Sequence, residues 1–215
     1  MDGKLGQIMK MVYDVESPTN ADIINHYNNW TDTYEEEMGP KNYRGPSTLA
    51  KTIVEYVSDK DTRILDVAAG SGLLVVELRK LGFAGLFDGL DPAVEWGKTV
   101  IEKKLYENYY HYFINPDEPC SLADELYDHV TCCGGIIPGH IPFKGIREML
   151  RLCKRGGYVF IVMKHSYIQP DGQFPGFDVY LKSLVDSGVC DLVERSVFDR
   201  YLFEDLGIVF VLKKK

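Results

Sequence analysis

The hydrophobic positions of this chain change period along its length, from helical spacing to short apolar runs and back, and the order of those changes predicts the fold. From Ala21 onward Ile23, Tyr27, Trp30 and Tyr34 recur at spacings of four, three and four, which is one face of a helix. Asp32 with Glu35 three residues on predicts a capping box that restarts it. Residues 1 to 15 show no such period and are expected to be loose. Gly39, Pro40, Gly45 and Pro46 break the chain. Ser47 is then placed to cap a second helix that buries Leu49, Ile53, Tyr56 and Val57.

After that the pattern alternates. Arg63 to Ala68 is a short apolar run closed by small residues, and Leu73, Leu74, Leu78 and Leu81 follow at helical spacing until Gly82, which reads as strand, tight turn and helix. Gly85 to Leu90, Tyr110 to Ile114 and Tyr127 to Cys133 read as further strands, with a helix over Ala93 to Leu105 between the first two. Ile146 to Lys154 has helical spacing, ends before Gly156-Gly157, and feeds Tyr158 to Met163, an apolar run suited to a strand covered on both faces. A helix is expected near Tyr180 to Ser187. Asp191 to Arg200 and Ile208 to Leu212 follow with only a loop between them, which requires an antiparallel pair. The predicted class is therefore α/β: a Rossmann-like seven-stranded, mostly parallel sheet with helices on both faces and an antiparallel last strand. A single domain over residues 1–215 is expected, with residues 1–60 as amino-terminal capping helices and 61–215 as the sheet core.

Composition narrows the function classes. A net charge of -8 leaves no global field for phosphates, and the one basic run, Lys213 to Lys215, reads as a solvated tail, so nucleic-acid binding is disfavoured. The five cysteines (Cys120, Cys132, Cys133, Cys153, Cys190) are odd in number, lack C-x-x-C spacing and lie mostly in apolar runs, as reduced small hydrophobic residues do; no metal site is expected. Met1 to Lys10 has no apolar leader core, and no run approaches the ~18 apolar residues of a membrane span. The expected location is the cytoplasm, with the nucleus also compatible.

The chemistry-bearing segment is Ile64 to Gly72, ILDVAAGSG. Gly70 and Gly72 supply permissive backbone, while Ala68 and Ala69 keep the turn slim. Such a turn alone suits a plain strand-to-helix connection as well as a ligand site. Asp91, followed by Pro92 at the end of the next strand, shifts the balance, because a carboxylate there can accept from two ribose hydroxyls. Nicotinamide binders use G-x-G-x-x-G, and Val75 stands where the third glycine belongs. Asp66, inside the motif, would repel a pyrophosphate and tolerate a cationic sulfonium.

ILDVAAGSG resembles the first motif of class I S-adenosylmethionine-dependent methyltransferases, and GLDPAVEW the second, with Asp91 as the ribose acid. Cys132 to Gly135 resembles the fourth-strand end that passes the cofactor, at Cys133 and Gly134. RLCKRGGYVFIV is similar to the family's helix, Gly-Gly turn and fifth strand. Ala68 departs from the family, where many members carry glycine. The resemblance implies S-adenosyl-L-methionine as cofactor and a small molecule, or else a protein side chain, as methyl acceptor. It also implies an adenine-side residue after the third strand, for which Asn115 or Asp117 is the candidate. Trp30 and Tyr34 are expected to form a lid that also packs on the sheet, and Tyr43 or Arg44 to approach the cofactor carboxylate, Arg44 by a bidentate contact.

Displacement at a sulfonium needs proximity and a dry site, and a base only if the acceptor must lose a proton. His140, in Gly139-His140-Ile141-Pro142 beyond the fourth strand, and His165 after the fifth are the candidate bases by position; a structural hydrogen bond is the simpler reading of each. Phe174, Phe177 and Tyr180 suit an acceptor pocket or the core. Thr131 rather than proline precedes Cys132-Cys133, and no Asn/Asp-Pro-Pro-aromatic motif follows, so nucleic-acid acceptors lose support. The rival readings are an NAD(P)-dependent oxidoreductase and a non-catalytic S-adenosylmethionine-binding interaction module.

Overall fold

The computed structural model describes residues 19–215. Three helices come first: α1 (Asn20–Asn28), α2 (Thr31–Glu37) and α3 (Gly45–Tyr56). Strands and helices then alternate as β1 (Arg63–Val67), α4 (Leu73–Lys80), β2 (Leu86–Leu90), α5 (Val94–Glu102), β3 (Asn108–Tyr110), β4 (Tyr127–Cys133), α6 (Ile146–Leu152), β5 (Cys153–Lys164), α7 (Phe177–Asp186), β6 (Cys190–Phe198) and β7 (Gly207–Lys214). The strands form one seven-stranded sheet in the order β3-β2-β1-β4-β5-β7-β6. β1 to β5 are parallel, and β7 runs antiparallel to both β5 and β6. Strand order therefore reverses between β1 and β4, where an open α/β sheet leaves a crevice at its carboxyl edge.

Alternate residues of β1 feed opposite cores. Ile64 packs with Leu49 and Ile53 of α3 and Val75 and Leu78 of α4, whereas Leu65 and Val67 pack with Met149 and Leu150 of α6. Val159 to Met163 and Ile208 to Leu212 are buried throughout, as strands covered on both faces must be. β6 lies at the edge and exposes Val193 and Val197. All five cysteines are free, and only Cys133 is not fully buried. No helix among the described residues is long and apolar enough to cross a membrane.

Several element ends differ from the sequence pattern for local reasons. α1 is capped by Thr19 and Asp22 in a reciprocal box, but α2 starts from Trp30 without a side-chain cap, so Asp32 falls inside the helix rather than before it. The side chain of Asp32 and residues 1–18 lie outside the described residues. α3 begins at Gly45-Pro46, whose proline has no N–H to satisfy in the first turn, and Ser47 instead donates its hydroxyl to the Arg44 carbonyl at 3.2 Å. α5 ends at Glu102 and α7 begins at Phe177. Cys153 is extended (φ -78°, ψ 140°), which stops α6 at Leu152. The third strand is Asn108–Tyr110, not Tyr110 to Ile114. It pairs with β2 only to the register Leu90↔Tyr110, where β2 itself ends.

One buried polar cluster ties the first four strands together. Asp88 is fully buried and accepts from Arg63 Nη2 at 2.7 Å, from Tyr127 Oη at 2.9 Å and from the Asn108 backbone and side chain at 3.1 and 3.0 Å. Each partner lies on a different strand, so the carboxylate is satisfied only in the assembled sheet. Asp88→Ala leaves the other groups without their acceptor and is expected to cost about 3 kcal/mol in urea-induced unfolding. A loss below ~1 kcal/mol would show that the cluster does not hold the sheet.

Candidate functional site

The connection from β1 to α4 packs three left-handed residues into five positions: Ala68 (φ 56°), Gly70 (φ 50°) and Gly72 (φ 82°). The backbone N–H groups of Ala68 and Ala69 donate to the Leu90 carbonyl at 2.8 and 3.3 Å, which seats the turn on the end of β2. Gly72 caps α4 in the left-handed conformation, which favours glycine; a Cβ there would lie 2.6 Å from the end of the Leu105 side chain, which would have to shift. Ala68 holds the left-handed conformation without being glycine, which accounts for glycine being the usual residue in the motif it resembles.

This turn borders a cleft of about 1080 Å³, counting space open to solvent. The sheet side contributes Ala68, Gly70, Asp91, Pro92, Cys133, Gly134 and Gly135, and α1 and α2 contribute Ile23, Tyr27, Trp30 and Tyr34. A smaller recess of about 310 Å³ holds Asp66, Ala69 and Ser71 and shares Ala68, Gly70, Tyr34, Tyr43 and Cys133 with the larger one. The two wrap around Gly70.

Two carboxylates dominate its electrostatics. Asp91 accepts from the Gly70 N–H at 3.0 Å and the Ala93 N–H at 2.9 Å. Burial pushes its pKa up to about 6 against the lowering effect of those two bonds. Asp66 accepts from Tyr106 Oη at 2.8 Å and Thr131 Oγ1 at 2.9 Å. Burial also raises it to about 6; the two hydroxyls oppose that rise, and the Asp91 charge adds to it. Among the described residues lining either recess there is no lysine or arginine. Ser71 Oγ, in the smaller recess, is buried without a hydrogen-bond partner, an orphan that a bound polar group would satisfy.

Aromatic side chains form the remaining walls. Trp30 is buried and donates Nε1–H to Glu37 at 3.3 Å; its ring meets Tyr34 edge-on at 4.7 Å, and Tyr34 meets Trp96 at 5.1 Å. These residues thus pack the helices and line the cleft at once. Tyr43 approaches Cys133 Sγ at 3.5 Å. Tyr201 and Leu202, from the β6–β7 loop, close the far side: Leu202 pairs with Tyr43 in a bridge, and the Arg44 N–H donates to the Tyr201 carbonyl at 3.0 Å.

The structure gathers Asp66, Ala68, Ala69, Gly70, Asp91, Pro92, Cys133, Gly134, Trp30, Tyr34 and Tyr43 around this space. Gly72 shapes the turn without lining it. Arg44 serves as the backbone N-cap of α3 and is not among the lining residues. Asn115 turns away and accepts from the Asp117 N–H at 3.0 Å, because the chain curls after Tyr110; Tyr112, Phe113 and Ile114 reach the cleft instead. His165 is outside the cleft, its Nε2 lying 3.0 Å from Gln169 Nε2. Phe174 and Phe177 belong to the core beneath α6 and α7. His140 does line the cleft, with Nε2 3.2 Å from Tyr27 Oη and Nδ1 3.3 Å from the Pro138 carbonyl. Sequence reasoning missed Tyr201 and Tyr109, whose hydroxyl donates to the Gly70 carbonyl at 3.0 Å, since neither belongs to a motif.

Strand order, the glycine turn and the acid at the end of β2 together define the class I S-adenosylmethionine-dependent methyltransferase fold. Solved structures agree on the fold: the [4+2]-cyclase SpnF superposes with a TM-score of 0.68 at 15% identity, covering 92% of this chain and 97% of that one. A SAM-dependent methyltransferase from Aquifex aeolicus gives 0.57 at 17%, covering 86% and 97%. Among curated proteins, methyltransferase-like protein 27 of Homo sapiens is 27% identical over 149 residues, 68% of this chain and 60% of that protein. The ubiquinone/menaquinone biosynthesis C-methyltransferase UbiE of Geotalea daltonii is 30% identical over 119 residues, 49% of this chain and 50% of that protein. The chain thus spans half to three fifths of the length of these relatives. No family model matches it.

Both raised carboxyls bind more protons folded than unfolded between their ordinary pKa of 3.8 and about 6. Their contribution to stability is therefore fully present below about pH 4 and is lost as pH rises through about 6. Asp66→Asn removes its share, so the ligand-free variant should lose less stability over that window and be more stable than the parent at pH 7.5 by about 2 kcal/mol in urea unfolding. A pH dependence identical to the parent's would contradict this assignment.

Proposed function

We propose that this chain is an S-adenosylmethionine-dependent methyltransferase whose acceptor is a small molecule, or else a protein side chain. The observation that carries this reading is Asp91, a buried lining residue of the cleft fixed by Gly70 and Ala93 N–H groups, where its remaining lone pairs can accept from ribose hydroxyls. The residues present fit the cofactor. Ser71 offers an unsatisfied hydroxyl beside the glycine turn, and Tyr112 to Ile114 supply an apolar wall for a purine. A dinucleotide fits worse. Its pyrophosphate would face two carboxylates with no lysine or arginine among the described lining residues, whereas a sulfonium cation offsets them.

When bound, the cofactor supplies an electrophilic methyl on a good neutral leaving group. The chain's own part is to hold, orient and dry the site: Trp30, Tyr34 and Tyr43 exclude water, and Asp66 and Asp91 favour the charged sulfonium before transfer. The rest of this reading is one domain over residues 1–215, capped by 1–60, working in the cytoplasm or nucleus. The likeness to a [4+2]-cyclase is a reminder that this fold also serves other reactions, so turnover must be measured as well as binding.

Calorimetry with S-adenosylmethionine and S-adenosylhomocysteine is expected to show binding of both, with a rise in Tm that NADH and NADPH do not produce. Asp91→Ala should weaken S-adenosylhomocysteine by ~1 to 3 kcal/mol. Unchanged affinity in that variant, or stabilisation by a dinucleotide instead, refutes the reading.

A further inference from the structure

Resting on that methyltransferase reading, we infer that the acceptor is a small, largely apolar molecule carrying a weakly acidic hydroxyl, and that Tyr27 and His140 together remove its proton. The two residues come from different elements lining the cleft, α1 and the loop after β4, and meet at 3.2 Å between Tyr27 Oη and His140 Nε2. The Pro138 carbonyl, 3.3 Å from Nδ1, can only accept, so Nδ1 carries the ring proton and Nε2 presents its lone pair to Tyr27. Tyr27 then donates to His140 and offers its oxygen to a hydroxyl in the cleft.

The surroundings select the same acceptor class. Ile23, Ile24, Met38, Phe113, Ile137 and Ile141 line the space, and no lysine or arginine among the described residues does, so an anionic acceptor would be buried without a counter-charge. An amine needs no base until after transfer, whereas a neutral hydroxyl is a poor nucleophile until its proton begins to leave. Burial also holds His140 neutral at physiological pH, its pKa lowered to about 4, so Nε2 keeps the lone pair that accepts from Tyr27, and its protonation has to be coupled to the loss of the sulfonium charge. His26 and Tyr27 are the titratable groups of α1 beside it.

The step balances. The S–CH3 bond breaks and an O–CH3 bond forms; the acceptor O–H proton passes to Tyr27 Oη as the Tyr27 proton passes to His140 Nε2. The sulfonium loses its positive charge as the imidazole gains one, so the cleft's net charge is unchanged through transfer, which offsets the cost of charging a buried ring. The imidazolium gives its proton to water when products leave. Tyr27 is the catalytic residue here, and His140 acts through it.

The test uses the full chain with S-adenosylmethionine and a series of phenols, from unsubstituted phenol to nitro- and dinitrophenols already ionised at the assay pH. Tyr27→Phe and His140→Gln are expected to lower kcat at least about tenfold for the un-ionised phenols and less than about threefold for the ionised ones, with KM little changed. S-adenosylhomocysteine affinity in both variants, measured by calorimetry, should stay within about twofold of the parent. An equal loss across the series would mean a structural role and overturn the proposal. So would methylation of the matching anilines or thiophenols in preference to the phenols, or no O-methylation of any phenol while S-adenosylhomocysteine still binds; these two leave the methyltransferase reading standing. Failure of the parent protein to bind S-adenosylhomocysteine would sink that reading itself.

Discussion

The carboxyl ends of β1 and β2 are locked together by three backbone donors from the β1 turn, and a fourth, within the turn after β2, fixes the acceptor carboxylate. Ala68 and Ala69 donate to the Leu90 carbonyl, and Gly70 and Ala93 donate to the Asp91 carboxylate. The lock forces the chain through three left-handed residues before α4 can begin, and it sets the width of the crevice beside β4. Everything else in the site is placed relative to it. Tyr109 reaches the Gly70 carbonyl from β3, Gly135 comes so close to Ala68 that a Cβ there would lie 2.5 Å from the alanine methyl, and the amino-terminal helices rest on what remains open.

The same lock makes the site electrostatically expensive when empty. Asp91 in the larger cleft and Asp66 in the smaller recess are both held out of water, and their hydrogen-bond partners among the described residues are hydroxyls and backbone N–H groups rather than cations. Hydrogen bonds alone do not restore the ordinary acidity of either group. A ligand that brings positive charge is rewarded twice, by direct attraction and by relief of this strain. That is how a preorganised site trades stability for binding.

The aromatic wall serves packing and recognition with the same atoms. Trp30, Tyr34 and Trp96 form a chain of edge-on contacts that fastens α2 and its start to α5, and Tyr43 is fastened in turn by Leu202 and Tyr201 from the last hairpin. The antiparallel ending of the sheet therefore contributes to the site as well as to the edge, because its loop returns over the crevice.

The alternation of apolar runs and helical spacing, the glycine turn with Asp66, and Asp91 at the end of the next strand were all legible in the sequence. They are local: periodicity reports which face is buried, and a tight turn leaves small residues adjacent in the chain. The pattern placed the third strand too late and the Asp32 and Ser47 caps on the wrong residues. Strand ends and caps are settled by which neighbour still offers a hydrogen bond, and β3 stops because β2 does. Only the tertiary structure turned Asn115, Arg44 and His165 away, brought Tyr201 in, and set His140 against Tyr27. Those choices depend on pairs far apart in the chain, such as Tyr43 with Leu202, whose meeting leaves no period or spacing to read.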